Sequence, residues 1–564
     1  MNFNDFSYLR PDMTSFGKNF NEKLQVFETE KNLTVLEDTF NELNKMRESF
    51  DTMFNIGYIR HSIDTKDGFY EKENDFFNET LPEYQALTTR FYEALLRSPL
   101  KNLLKQKYGK QLFVIAEASQ KTFNDSIVED LQVENRNSSE YTKLKAAAEI
   151  KINDKTYNLS GLIPLESGAD RDLRKNAAHA KWQFFAENRE KTEGIFDELV
   201  KTRHKIATKL GYKNFVELGY LRMLRSDYNA EMVAVFRKQI QDHIVPIATR
   251  LYERQAKRIG VPNLKIYDEE FKFKSGNPAP KGSPEWIEDN ADKMYSELSP
   301  ETAEFFRFMQ TGKLMDLINR DGKATGGYCT YIAEHKAPFI FSNFNGTSGD
   351  IDVLTHEAGH AFQVYRSRNF GIPEFHWPTY ESCEIHSMSM EFFTWPWMHL
   401  FFQRDADKYK FMHLAAALQF LPYGVAVDEF QHVIYQNPDL STAERNKAWK
   451  EIEKKYLPHR DYDGIAFLEN GGFWQKQNHI FNSPFYYIDY ALAQICAFQF
   501  WKKDQEDHRS AWEDYIRLCN AGGSLSFLEL VKLANLTSPF EESCVAEVVG
   551  EIDKWLESVD DSEF

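Results

Sequence analysis

Two histidines four residues apart, with a glutamate directly after the first, stand in the stretch VLTHEAGHAFQ at 353–363. On a helix His356 and His360 share one face about one turn apart, so both imidazoles reach a single ion. Glu357 is displaced around that helix, close enough to bond an ion-held water without being a ligand itself. The chemistry such a set offers is hydrolysis: a divalent ion activates water and the neighbouring carboxylate takes its proton. The bland alternative is a polar helix face, and among 15 histidines in 564 residues the pattern arises only rarely by chance.

A catalytic zinc takes three protein ligands and keeps one position for water. A metzincin-type extension would need Gly at 363 and His at 366, where this chain has Gln363 and Arg366. The third ligand is therefore sought in TYESCEIHSMSMEFF at 379–393, where Glu381, Glu384, Met388 and Glu391 follow steps of three, four and three along one helix face. Glu384, 24 residues beyond His360, is read as the ligand and Glu381 as the acceptor behind a ligand histidine, with the reverse assignment left open. Ser387, Met388, Phe392 and Phe393 surround these carboxylates, which argues against a solvated face. Two histidines and a carboxylate favour one zinc ion per chain; cobalt or manganese would also fit the donor set.

The elements that must hold these residues read as mainly helical. Residues 17 to about 110 look like long charged amphipathic helices, with Leu36, Phe40, Leu43, Met46 and Phe50 at three- and four-residue steps. EIKINDKTYNL, from Glu149, alternates around Asn153-Asp154 and predicts a hairpin. The Pro/Gly/Ser-rich segment at 272–286 reads as a loop, and GGYCTYIAEHKAPFIFSNFNGT at 326–347 as one or two strands just before the His356 helix, which Ser348 or Asp350 is expected to cap. Tyr328 and the backbone from Gly326 to Thr330 are read as an edge strand able to pair with an extended peptide.

Composition excludes several classes. The 68 basic and 86 acidic residues give a net charge of −18, which repels phosphate backbones and anionic membranes, so neither nucleic acid nor membrane is expected as a partner. Cys329, Cys383, Cys496, Cys519 and Cys544 contain no CxxC pair and suit free thiols in a reducing compartment. The apolar stretch LAAALQFLPYGVAV at 414–427 is too short to span a bilayer and carries Gln419 and Pro422. A cytoplasmic setting is expected.

THEAGHAFQ (355–363), ESCEIHSMSMEFF (381–393) and HIFNSPFYYIDYALA (479–493) together resemble the oligoendopeptidase F branch of the thimet-oligopeptidase-like zinc metallopeptidases. The resemblance extends over roughly 200–560 through IATKLGYKNFVELGYLRMLRSDY (206–228) and the strand-rich segment before the His356 helix. One departure is His386, where thimet-type members carry proline. The resemblance implies a mainly α, two-lobed metallopeptidase of the gluzincin type, with a small β-sheet beside the active-site helix and a deep substrate channel. The expected division is an N-terminal helical lobe with a small hairpin at 1–190 and a helical zinc-peptidase unit at 191–564. It further implies that Tyr490 supports the oxyanion, that His479 helps hold substrate or transition state, and that Tyr486 and Tyr487 line the cleft. Substrates would be short unfolded oligopeptides cut at internal bonds.

Two other readings compete. A metallo-carboxypeptidase or dipeptidyl-carboxypeptidase would use the same ion site and need a cation for the terminal carboxylate, for which Arg225, Arg320, Arg366 and Arg368 are available. A peptide-binding protein with a structural metal would need four closed ligands and no Glu357, so Glu357 argues against it. Oligomeric state is not legible in the sequence.

Overall fold

The computed structural model describes residues 2–320 and 322–564, apart from the side chain of Glu563. Asp12, Asn32 and Asp67 each accept backbone N–H bonds at a helix start, opening the long helices Met13–Thr29, Leu33–Ile63 and Gly68–Arg97. The periodic residues Leu36, Phe40, Leu43 and Phe50 are buried as their spacing requires. With Phe20, Phe91 and Phe113 most of them form a small core, into which Ile372 and Phe375 reach from the second half of the chain. A much larger core runs from Phe3 and Phe6 through Trp182 and Leu199 to the C-terminal helices, so residues beyond about 123 share their interior with the rest.

Two small sheets interrupt the helices. Asn153, in the left-handed region at φ 53°, turns β1 (Ile150–Ile152) back onto β2 (Lys155–Tyr157) as the Asn-Asp signal predicts. The second sheet contains β3 (Met315–Ile318), β4 (Tyr328–Ile332) and β5 (Ala337–Phe344), in the order β3-β5-β4. β4 pairs antiparallel and β3 parallel with β5, whose near-continuous apolar run suits the central position. β3 is additional to the strands expected from 326–347; four residues are too few for an alternating pattern to show.

The loop expected at 272–286 ends at Ser283, which caps the helix Pro284–Leu298 with Pro284 in its first turn. No helix among the described residues is long and apolar enough to cross a membrane; the apolar stretch at 414–427 lies inside the helix Ala406–Gln436. β5 leads through residues 345–348 into the helix Gly349–Ser367, which carries both motif histidines. Ser348 holds the cap position there without a side-chain bond, while the Asp350 carboxylate accepts from the amides of Asn345 and Gly346 at 2.8 Å each and so fixes the preceding loop.

Candidate active site

The helix Tyr380–Phe393 packs against the helix Gly349–Ser367 unusually closely. A Cβ built on Gly359 would lie 2.6 Å from Ser387 Cα and 2.7 Å from the His386 carbonyl, so only glycine permits this approach. The closeness brings Glu384 Oε2 to 3.2 Å from His356 Nε2 and 3.4 Å from His360 Nε2. The three ligand-type atoms of His356, His360 and Glu384 lie within 4.8 Å of one another. Burial raises the Glu384 carboxyl, but the two imidazoles outweigh it and hold the group well below its usual value.

Around this trio a further layer fixes two of the three residues, His356 and Glu384. His356 Nδ1 donates to Glu391 Oε1 at 2.7 Å, which leaves its Nε2 facing Glu384 and His360. Glu391 Oε2 accepts from His413 Nε2 at 2.7 Å, and Trp395 Nε1 donates to His413 Nδ1 at 3.2 Å. An indole N–H only donates, so His413 Nδ1 is unprotonated and Nε2 carries the hydrogen. The chain Trp395, His413, Glu391, His356 therefore sets the tautomer of the first histidine from behind. Glu384 Oε1 accepts from Tyr486 Oη at 2.6 Å, and Ser387 Oγ donates to Oε2 at 3.0 Å.

Glu381, expected behind a ligand histidine, does not stand there; Glu391 does. The two helices run antiparallel, so the earlier histidine, His356, meets the later carboxylate, two turns beyond Glu384. Glu381 lies one turn before Glu384 and is fully buried, with neither carboxylate oxygen hydrogen-bonded among the described residues. Burial and then Asp489 push its carboxyl well above the usual range, opposed by Arg225, whose guanidinium is 2.6 Å from Asp489.

A cavity of about 620 Å³ opens on the trio. Glu357 lines it, buried, and its Oε2 has no hydrogen-bond partner among the described residues. Burial raises the Glu357 carboxyl, with His356 and His360 opposing. Tyr328, Tyr486 and Tyr490 also line this cavity. Tyr328 opens β4, an edge of its sheet, and stacks on Phe341 at 4.9 Å. Burial keeps Tyr490 a neutral phenol with its hydrogen available.

His479 and Tyr487 are not part of the cavity wall. Tyr487 packs between Phe420 and Tyr423, and His479 sits behind the tyrosines with ring centroids 5.6, 4.9 and 5.7 Å from Tyr486, Tyr487 and Tyr490. Burial pushes the His479 imidazole down to about 4, so it is neutral; Gln477 Nε2 donates to its Nδ1 at 2.8 Å, which puts the hydrogen on Nε2.

Other wall residues gave no sequence signal. Tyr92, Gln111 and Ile115 come from the N-terminal helices, Trp377 and Pro378 from the segment leading into the Glu384 helix, and Tyr380 from that helix's first position. That segment is tied to the N-terminal helices by Glu374, whose Oε1 accepts from Arg47 Nη2 and Tyr92 Oη at 2.6 Å each, out of solvent. No lysine or arginine lines the cavity among the described residues. Arg225 is buried on Asp489 and the Phe485 carbonyl, Arg320 pairs with Asp316, Arg366 bonds Asn520, and Arg368 bonds the Tyr365 carbonyl.

Two histidines and a carboxylate on packed helices face a cavity beside an orphaned glutamate oxygen, and comparison with known proteins places the chain in a family. Residues 165–280 and 287–549 match Peptidase family M3, and residues 3–123 match the Peptidase M3 N-terminal domain. The chain belongs to Peptidase family M3. Among solved structures it is similar to PZ peptidase A with a bound inhibitor, at 59% identity and TM-score 0.97 over 99% of this chain and 100% of that one. A candidate oligoendopeptidase F from Bacillus anthracis str. Ames shares 55% identity and TM-score 0.93, covering 100% of this chain and 99% of the other. An oligoendopeptidase F homologue from Borreliella burgdorferi is 23% identical over 369 residues, 63% of this chain; the match spans 60% of that curated relative's length. The chain is an oligoendopeptidase F-like M3 peptidase.

Proposed function

We propose that this protein is a zinc-dependent oligoendopeptidase that hydrolyses internal bonds of short unfolded peptides. The observation that carries the reading is the convergence of His356, His360 and Glu384 on one point beside the unpartnered, buried Oε2 of Glu357. The donor set fits zinc: two imidazoles and one carboxylate, of which His356 is held from behind by Glu391 and Glu384 by Tyr486. Zinc bound by these three residues supplies Lewis acidity, bringing the pKa of a held water towards neutrality and polarising a carbonyl.

The chain's own residues do the rest. Glu357 Oε2 takes the proton of the attacking water and delivers it to the leaving amine. Tyr490 points a neutral phenol into the cavity as a donor for the oxyanion, a role whose loss typically costs about 100- to 1000-fold in rate. Tyr486 holds Glu384, while His479 positions the tyrosines from behind. The free edge of β4 at Tyr328 offers main-chain groups to an extended peptide. A cavity of about 620 Å³ accommodates a peptide segment and not a folded domain. Cytoplasmic peptide turnover, and the division into lobes at residue 190, belong to the same reading.

The carboxypeptidase alternative is weakened by the absence of any cation on the cavity wall among the described residues. The test is cleavage of an internally quenched peptide, with chelator, with zinc restored, and by Glu357→Gln. Activity should vanish with chelator, return with zinc, and fall at least about 100-fold in Glu357→Gln although that variant still binds zinc. A metal-loaded wild type that leaves a broad peptide library uncut would sink the reading.

A further inference from the structure

A second cavity, of about 650 Å³, lies at the start of the Gly349–Ser367 helix. Residues 345–348 form one wall, and Lys181, Glu269, Arg460 and Lys476 contribute charged groups. Most of these charges are already satisfied. Lys181 Nζ is bonded to both oxygens of Glu166 at 2.9 and 3.1 Å. Arg460 is held by Glu269 at 3.2 and 3.3 Å and by Glu453 at 3.2 Å.

Lys476 is the exception. It is half-buried, its ammonium rests 4.3 Å from the centroid of the Phe473 ring, and that ammonium makes neither a hydrogen bond nor an ion pair among the described residues, although the Lys476 carbonyl accepts from Lys145 Nζ at 2.8 Å. Burial, helped by the nearby Lys181 and Arg460, pushes it down to about 7. Such a group gains most when an anion arrives. Glu270, also on the wall, stands exposed at the rim with no ion pair among the described residues, where water screens it.

The two cavities are joined by one helix. From Ser348 to Glu357 is nine residues, about 13 Å at 1.5 Å per residue. An extended peptide advances about 3.3 Å per residue, so about four residues of extended chain span the length of helix between Glu357 and Ser348.

We propose that Lys476 receives a carboxylate of the bound peptide, about four residues from the bond that is cut. This rests on the peptidase reading above and adds an anchor to it. The carboxylate has two sources, the peptide's C-terminus or an acidic side chain. The missing cation of the first cavity is thus present one cavity away, which suits an enzyme that measures off a short segment rather than a dipeptide.

The experiment compares three otherwise identical quenched peptides: a C-terminal acid, the corresponding amide, and the amide with glutamate as last residue, each ending four residues from the scissile bond. Wild type, Lys476→Met and Lys476→Arg are assayed. Wild type should cut at least one carboxylate peptide with kcat/KM about ten- to one-hundred-fold above the plain amide. That ratio should collapse towards one in Lys476→Met and survive in large part in Lys476→Arg. Because each ratio is taken within one variant, a reduced folded fraction does not affect it. Preference for the acid alone identifies the C-terminus as the source, and preference for both identifies any carboxylate at that distance. A wild type indifferent to charge, or a preference that persists in Lys476→Met, overturns the anchor while leaving the peptidase reading intact. If no peptide is cut at all, the peptidase reading fails and the anchor with it.

Discussion

Glu381 and Glu391 stand on one face of one helix, ten residues apart, and are treated by the protein in opposite ways. Both oxygens of Glu391 are taken, one by His356 and one by His413, and these outweigh burial to keep it below the usual carboxylate range. Neither oxygen of Glu381 has a partner, and its carboxyl is held well above that range. Helical spacing decides which face a carboxylate occupies. What it meets along the helix axis decides whether it is an ionised acceptor or a neutral, buried acid.

The strongest way to break this comparison is Glu391→Ala. It should weaken zinc binding about 10- to 100-fold in a chelator competition, because His356 loses its orientation and His413 its acceptor. Unchanged affinity would mean that Glu391 is no more involved than Glu381. Gly359→Ala comes next: the added methyl meets backbone of the opposite helix, and parting the helices should cost about 1–3 kcal/mol in denaturant unfolding. Zinc affinity should fall with it, since the contact lies level with the ligands. A fully stable Gly359→Ala with native affinity would show that the helices have room to spare.

Glu381→Gln should have the smallest effect, within about 1 kcal/mol in mildly acidic solution, because it replaces an already neutral group. Its pH dependence carries the information. With a folded-state pKa above the unfolded one, wild-type Glu381 contributes fully below the usual carboxyl value and loses that contribution as pH rises towards the raised value. On metal-free protein, Glu381→Gln should therefore gain on wild type in thermal unfolding as pH rises above the usual carboxyl value. A constant difference would mean that Glu381 is ionised when folded.

The same contrast explains what the sequence made legible. His356, His360 and Glu384 declare themselves because a turn of helix and a short connection are local quantities, and the fold's helices, hairpin and edge strand follow from equally local patterns. The role of Glu391 required knowing that the two helices run antiparallel, which no spacing encodes. His413 and Trp395 needed the position of a third helix. Tyr487 follows the helical step from Tyr490 yet turns to Phe420 and Tyr423, because three residues on a helix share a side without sharing a neighbour. Tyr92 and Gln111 lie more than two hundred residues before the motif, and only tertiary packing carries them to the cavity.

The bond of Glu374 to Arg47 and Tyr92 has a mechanical consequence. Stripping one partner from a buried ion pair costs about 3–5 kcal/mol, because the other charge is left stranded out of water. The N-terminal helices and the 372–380 wall are thus riveted together, and neither can swing alone at thermal energies. Any widening of this cleft carries both as one plate, with its flexing line elsewhere in the chain.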